Sequence, residues 1–435
     1  MKLRIIGGGL AGSEAAYYAA NQGIKVELFE MRPKKNTPAH KTELLAELVC
    51  SNSLGSDNLT APGLLKSELR LLNSLIIKAA QETKVPAGKA LAVDRYKFGE
   101  YITEKICSHP NINLNREEVT IIDPQIPTII ATGPLTSDGL SDNLKQFIGK
   151  EYLYFFDAIS PIVEYESLNH EKIFKSSRYN NDQQDYINCP MNELEYKTFW
   201  NELVNADLAP VKDFDKYNPN YFEGCLPVEV LAKRGIDALR FGPMKPVGLI
   251  DPKTNKQPYA VVQLRQDNIC GTLYNIVGFQ TQLQWKEQKR VFSLIPGLEN
   301  AEFVRFGVMH KNTYINSPIV LNPTLQLKKY PNIFIAGQLT GVEGYVESTA
   351  MGMVAAINAV LFLRKEKPVI FPKTTMIGAL INYITNSNSN HFQPMNSNWG
   401  IIPEIEQKIK NKKIRNETKF KRALDDLKRI ISNIS

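Results

Sequence analysis

The stretch FEGCLP, Phe222–Pro227, sets a thiol between a glycine and a proline in a chain of 435 residues that carries five cysteines. On its own Cys225 reads two ways: a small buried hydrophobe in a turn, or a nucleophile whose thiolate is held out toward a substrate. The five cysteines, Cys50, Cys107, Cys189, Cys225 and Cys270, are odd in number and no two make a CxxC pair. That spacing fits neither a disulfide framework nor a structural zinc site, so a cysteine with a task here acts as a free thiol. The five histidines are scattered too, and no metal is expected.

A second constellation lies at the N-terminus. LRIIGGGLAGSEAAYYAANQGIKVELFE reads as strand, glycine turn, helix, strand, with Gly7, Gly9 and Gly12 at GxGxxG spacing and Glu30 standing 18 residues after the last of them. Each part has a mechanical use. The backbone of Gly7, Gly8, Gly9, Leu10, Ala11 and Gly12 lets a pyrophosphate approach the helix N-terminus, and the Glu30 carboxylate accepts ribose hydroxyls. The same spacing also serves a tight strand–helix turn with no ligand at all.

These groups need a scaffold. With 43% hydrophobic and 22% charged residues, the chain has the composition of a globular protein with two or three cores. The longest apolar run, near Gly352–Leu363, is short for a bilayer span and is broken by Asn358, and no signal segment precedes the glycine turn, so a cytoplasmic protein is expected. PTIIATGPLTS, Pro127–Ser137, and PNIFIAGQLTGVEGYVESTAMGMVAAINAV, Pro331–Val360, add two further strand-and-turn units. Flavoproteins of the glutathione-reductase type close an FAD site with such elements, which favours FAD over a nicotinamide cofactor and adds Gly133, Gly337, Gln338 and Tyr345 to the cofactor-binding candidates. Tyr345 is expected to stack on or cover the flavin, or else to be a half-buried aromatic. The fold class expected is therefore α/β: a Rossmann-like FAD domain, discontinuous over 1–160 and 326–435, with an α+β substrate domain inserted over 161–325. Charge is uneven. Ten Lys and Arg stand against three acidic residues between Lys408 and Arg429, which matches the net +7 of the chain. Such a block is either a solvated helix face or a surface that meets phosphates, with Lys410, Lys412, Lys413 and Arg415 as the candidate contacts.

Longer motifs carry a resemblance. HKTELLAELVCSNSL, KVPAGKALAVDRYKF, FEGCLPVEVLAKRG, LRFGPMKPVGL, YAVVQLRQ, GTLYNIVGFQT and AGQLTGVEGYVES, spread from Met1 to about residue 400, resemble the folate- and FAD-dependent bacterial RNA (uracil-5-)-methyltransferases. The resemblance implies that 5,10-methylenetetrahydrofolate donates a one-carbon unit to C5 of a uridine, with NADH or NADPH as reductant. The uridine implied is position 54 in the T loop of tRNA. Uracil C5 is a weak nucleophile until a group adds at C6, and a thiolate adds and leaves readily. By this match Cys225 falls on the nucleophile and Cys50 on a second catalytic cysteine, a base or flavin-side partner. A free thiol with a pKa of ~8.5 is only a few per cent thiolate at neutral pH, so one of them needs activation; Lys233 and Arg234 lie near Cys225 in sequence. His310, in MHKNTYINSP, is the candidate folate contact, or else an ordinary packed histidine.

One departure touches the RNA. Gly55 follows CSNSL where relatives often carry arginine, and loss of a guanidinium leaves the flavin chemistry intact while opening the alternative of a uridine in large-subunit (23S) ribosomal RNA. A more remote alternative is wobble-uridine aminomethylation with a GTPase partner, suggested by SLIPGLENAEFVRFG, although such proteins are longer. A non-enzymatic RNA-gripping flavoprotein is a third; it predicts a lost motif cysteine or flavin turn, and neither is lost. No obligate protein partner and no membrane are expected.

Overall fold

The computed structural model describes all residues except 38, 150–151, 159, 179–183, 211–225, 308, 407–408 and 433–435, and gives the backbone alone for 152–158 and 309–311. Its organising element is a five-stranded parallel sheet in the order Ile333–Ile335, Thr128–Ile130, Lys2–Ile6, Lys25–Phe29, Ile112–Asn115. The first strand reads KLRII and is buried along most of its length, as strands covered on both faces are. It ends in the glycine turn, which feeds the helix Leu10–Asn21. The last strand of the sheet in chain order, Ile333–Ile335, comes from more than 300 residues away and leads through a 3-10 turn, Gly337–Thr340, into the helix Tyr345–Arg364.

The two helices Leu10–Asn21 and Tyr345–Arg364 pack against each other, and small residues set how closely. A Cβ on Gly352 would lie 2.3 Å from the carbonyl oxygen of Ala11, so a glycine is needed where the backbones meet. The helix Tyr345–Arg364 is long and apolar enough by composition to span a membrane, but 89% of its apolar window is buried inside the protein. Its apolarity on every side is that of a core helix.

Around the parallel sheet lies one core, with Ile5, Leu28, Ile129, Phe334 and Met351 at its centre. A second core, built on Val163, Ile187, Phe199, Phe279 and Phe292, belongs to a six-stranded antiparallel sheet in the order Phe174–Lys175, Tyr186–Met191, Ala260–Gln266, Leu273–Ile276, Ile162–Glu164, Phe303–Arg305. The chain leaves the first core along Tyr152–Ala158 and returns along Met309–Ile315, and these two strands pair antiparallel. A three-stranded sheet of Ser53–Ser56, Ala90–Val93 and Lys84–Val85 follows the Cys50 segment.

Candidate functional site

The glycine turn forms a cradle at the carboxyl end of the central strand. Gly7 has φ +103° and a Cβ there would sit 2.5 Å from the Ala131 carbonyl oxygen, while a Cβ on Gly12 would sit 1.8 Å from that of Gly7. Both positions are therefore closed to side chains by the neighbouring backbone. Gly9 differs: nothing lies within 4 Å of its virtual Cβ, so it marks the open side. It also precedes the helix Leu10–Asn21 with no side-chain cap, whereas Thr60, Ser74 and Asp94 cap other helices. Donors at an uncapped N-terminus beside an open glycine face suit a phosphate. Gly133 (φ +67°) and Gly337 (φ +72°) close the same region from the ends of the next two strands on one side of the sheet, Gly337 with its virtual Cβ 2.9 Å from that of Ala11. Gln338 donates to the Glu343 carboxylate in the turn beyond. A cleft beside the turn is lined by Gly9, Glu30, Arg32, His40, Thr132 and Thr136. These residues fit an extended dinucleotide such as FAD.

Glu30 is more committed than its spacing suggests. Its Oε2 accepts the Gly8 N–H at 2.9 Å, and its Oε1 accepts both the backbone N–H and Nε of Arg32 at 3.0 Å. Burial pushes this carboxyl up, but the Arg32 hydrogen bonds and charge together with the Gly8 amide outweigh it and hold the group below the usual carboxylate range. Buried Arg32 continues to Glu47 at 3.0 Å, whose carboxylate accepts the N–H of Lys41 and Thr42. Ala46 N–H in turn donates to the Gly8 carbonyl at 2.9 Å, so the segment leading to Cys50 is fastened back onto the glycine turn. His40, its Nδ1 2.6 Å from the Thr37 hydroxyl, is pushed down to about 4 by burial and then by Arg32, which keeps the ring neutral near pH 7.

Cys50 sits at the end of that segment and is gripped through its backbone. Its N–H donates to the Tyr345 hydroxyl at 2.8 Å, and its carbonyl accepts from Arg95 at 3.2 Å. Arg95 also donates to the Leu48 carbonyl, and Arg305 to that of Val49. Asn52 donates to the Val93 and Gln266 carbonyls, both at 2.9 Å, and accepts Arg265 Nε at 3.0 Å. Arg95 is buried and forms a two-pronged pair with Asp267, at 3.1 and 2.9 Å. Burial opposes its charge, and Asp267 more than offsets that, so it stays a cation. Tyr345 opens the long core helix behind Gly344, whose φ is +119°. Burial, with the neighbouring Cys50, pushes its phenol up, so the hydroxyl stays neutral. Its hydroxyl thus has a partner in the Cys50 backbone, a role that the aromatic type alone did not suggest.

The other sequence candidates lie as follows. Cys225 is outside the described residues, as is the side chain of His310, whose backbone lies in the strand Met309–Ile315 opposite Asp157. Of the remaining thiols, Cys189 is buried and pushed up by that burial, the state of an inert core cysteine, while Cys107 and Cys270 are exposed. Lys410, Lys412 and Lys413 are exposed and Arg415 is half-buried. They cluster at the start of the helix Lys412–Ile431, which packs on Ala61–Leu71, the helix that follows the Cys50 segment. Among the described residues no group of three His, Cys, Asp or Glu is placed to hold a metal. Sequence reasoning did not single out Arg95, Arg265, Arg305, Asn52 or Asp267. All five lie inside or beside motifs already quoted, VDRYKF, QLRQ, CSNSL and SLIPGLENAEFVRFG, and a polar or charged residue within such a motif was the available signal.

Comparison with known proteins agrees with this architecture. The family described as "Glucose inhibited division protein A" matches residues 2–367. A protein of Acetivibrio thermocellus named methylenetetrahydrofolate–tRNA-(uracil-5-)-methyltransferase TrmFO is 60% identical over 435 residues, covering 100% of this chain and 99% of its own. Proteins of the same name from Moorella thermoacetica and Listeria innocua are 59% and 56% identical, each covering at least 97% of both chains. Among solved structures, Aquifex aeolicus GidA superposes with a TM-score of 0.69 at 18% identity, over 98% of this chain and 73% of that one, which shows a shared fold. The α/β class with a Rossmann-like parallel sheet, expected from the glycine turn, is thus the class observed, and the chain belongs to the glucose inhibited division protein A family and, within it, to the methylenetetrahydrofolate–tRNA-(uracil-5-)-methyltransferases.

Proposed function

We propose that the protein transfers a one-carbon unit from 5,10-methylenetetrahydrofolate to C5 of a uridine in tRNA, the T-loop uridine at position 54, yielding 5-methyluridine. The observation that carries this reading is the Cys50 segment, fastened at one end to the glycine turn through Gly8 and Glu30, and held along its length by Arg95, Arg305 and Tyr345. A thiol-bearing loop held this way keeps a reactive group next to a dinucleotide cradle without spending the thiol itself on support. The names of relatives at 56–60% identity supply the reaction.

FAD, which the glycine turn, Gly133 and Gly337 would hold, would supply in its reduced form the hydride for the methyl group, with NADH or NADPH as the reductant that restores it. The residues of this chain handle the uridine. The Cys225 thiolate adds to C6, C5 bonds to the methylene carbon as that carbon's bond to the folate nitrogen breaks and tetrahydrofolate leaves, Cys50 serves as base for the C5 proton or as its flavin-side partner, and a hydride added to the methylene completes the methyl group. Thiolate is released when the C5–C6 double bond re-forms. Arg95, Arg265 and Arg305 donate to the Cys50 loop and place positive charge around it. The segment 161–325 acts as the substrate domain, and His310, on its strand Met309–Ile315 that leads back to the first core, contacts folate. The basic helix contacts RNA phosphate: Lys410, Lys412 and Lys413 gather at a helix N-terminus, where the helix dipole disfavours cations by about 0.3–1 kcal/mol each and a bound anion offsets that.

The test is direct. The purified protein is incubated with methylenetetrahydrofolate, NADH or NADPH, and unmodified tRNA or ribosomal RNA, and the new methyl group is mapped. Methylation of the T-loop uridine by this chain alone is expected. Methylation confined to ribosomal RNA, or dependence on an added GTPase, overturns the tRNA reading.

A further inference from the structure

Outside the dinucleotide cradle, a second cleft of about 1110 Å³ including open solvent separates the two cores, lined by Lys41, Arg95, Tyr96, Trp285, Arg305 and Phe306. One wall is a column of rings. It rises from Phe292 in the second core (0% exposed) to Phe303 at 6.4 Å, then to Phe306 at 5.2 Å with an interplanar angle of 8°, and to Trp285 at 5.5 Å and 14°. Trp285 ends the column at 62% exposure. A large indole stacked on a fixed base and left open to solvent is held in position before any ligand arrives.

The charges of the cleft favour an anionic partner. Its two carboxylates, Glu47 and Asp267, are engaged by Arg32 and Arg95. Lys41 and Arg305, which share the cleft, have no ion-pair partner among the described residues. Arg305 also donates to the Val49 carbonyl, so the residue adjoining Phe306 in sequence grips the neighbour of Cys50. The cleft wall and the thiol loop are thus one connected structure.

We propose that Trp285 is a stacking platform for a nucleobase of the RNA loop flanking the reacting uridine, with Lys41 and Arg305 meeting the phosphates beside it. This rests on the uridine-methyltransferase reading and adds a recognition site to it. An enclosed pocket suits a small molecule. An exposed ring with cations beside it suits one nucleotide of a chain anchored elsewhere, because base stacking tolerates one open side and the phosphates supply the charge.

The experiment uses the full-length FAD-loaded protein, with Trp285→Ala and Trp285→Phe, on a T-arm stem–loop RNA and on the same RNA carrying single abasic nucleotides. Trp285→Ala is expected to raise the RNA KM about tenfold and Trp285→Phe considerably less, with the folate and nicotinamide KM values unmoved. One abasic position beside the target is expected to raise KM for the wild type but not further for Trp285→Ala, the non-additivity of two groups that touch. Wild-type turnover with an unchanged RNA KM in Trp285→Ala overturns the platform and leaves the methyltransferase reading standing. A rise confined to folate or nicotinamide KM overturns it as well. Absence of methyl transfer by the wild type on every uridine-containing RNA removes the activity, and the platform with it.

Discussion

The Tyr345 hydroxyl accepts the backbone N–H of Cys50 at 2.8 Å, joining residues 295 apart in sequence. Tyr345→Phe keeps the ring and removes the acceptor, leaving a part-buried N–H without that bond at a cost of about 1 kcal/mol. The expected result is a fall in single-turnover methyl transfer of about tenfold or more, with FAD content preserved. Absorbance of the bound flavin and a quench-flow assay check both halves, and unchanged transfer would mean that the bond does not position Cys50.

Cys225→Ala and Cys50→Ala are each expected to abolish methyl transfer while the protein still purifies yellow. Single-turnover assays with excess enzyme are the measurement. Normal activity in either variant removes that thiol from the chemistry.

Two glycines of the same turn are expected to fail differently. Gly12→Ala places a methyl 1.8 Å from the Gly7 carbonyl oxygen, so helix and strand must separate; both thermal stability and FAD binding fall. Gly9→Ala meets no protein atom within 4 Å, so the apoprotein keeps its melting temperature and loses FAD affinity. Calorimetry of apoprotein and flavin titration distinguish the two.

Buried Glu68 caps the helix Met376–Asn386 by accepting the N–H of Met376 at 2.7 Å and of Ile377 at 2.9 Å, and burial pushes its carboxyl up to about 8. A carboxyl raised in the folded state holds its proton there after the unfolded chain has released it. Its contribution is full below pH 4.5 and is lost as pH rises toward 8. Denaturant midpoints should therefore decline over that window, and Glu68→Gln should flatten the decline. Glu14, pushed up to about 7 by burial, acts in the same direction and leaves a residual slope.

Replacing Lys410, Lys412, Lys413 and Arg415 together with Gln is expected to weaken RNA binding and reduce the slope of log K against log salt, with FAD content unchanged. Binding isotherms at several salt concentrations decide it. An unaltered slope identifies the block as a solvated helix face.

The first part of the dinucleotide cradle was legible because it is local: strand, Gly7, Gly9, Gly12, helix and Glu30 follow one another within 30 residues. The pairing of Ile333–Ile335 with Thr128–Ile130 was foreseeable in kind, since both segments end in glycine turns. The clasp around Cys50 was not. Arg95 and Asp267 are 172 residues apart, and nothing in either neighbourhood records that a buried pair forms between them. The commitment of Glu30 to Arg32 was equally hidden: the spacing that marks a ribose acceptor says nothing of an arginine two residues on that folds back onto the same oxygen.

The Cys50 loop takes its support from both cores: Arg95 and Tyr345 come from one, and Arg265, Asp267 and Arg305 from the other. Neither half therefore specifies the thiol's position alone. A chimera that grafts a different insert onto this nucleotide-binding half, hoping to retarget the enzyme to another RNA, inherits the cysteine but not its geometry unless those three residues travel with the graft.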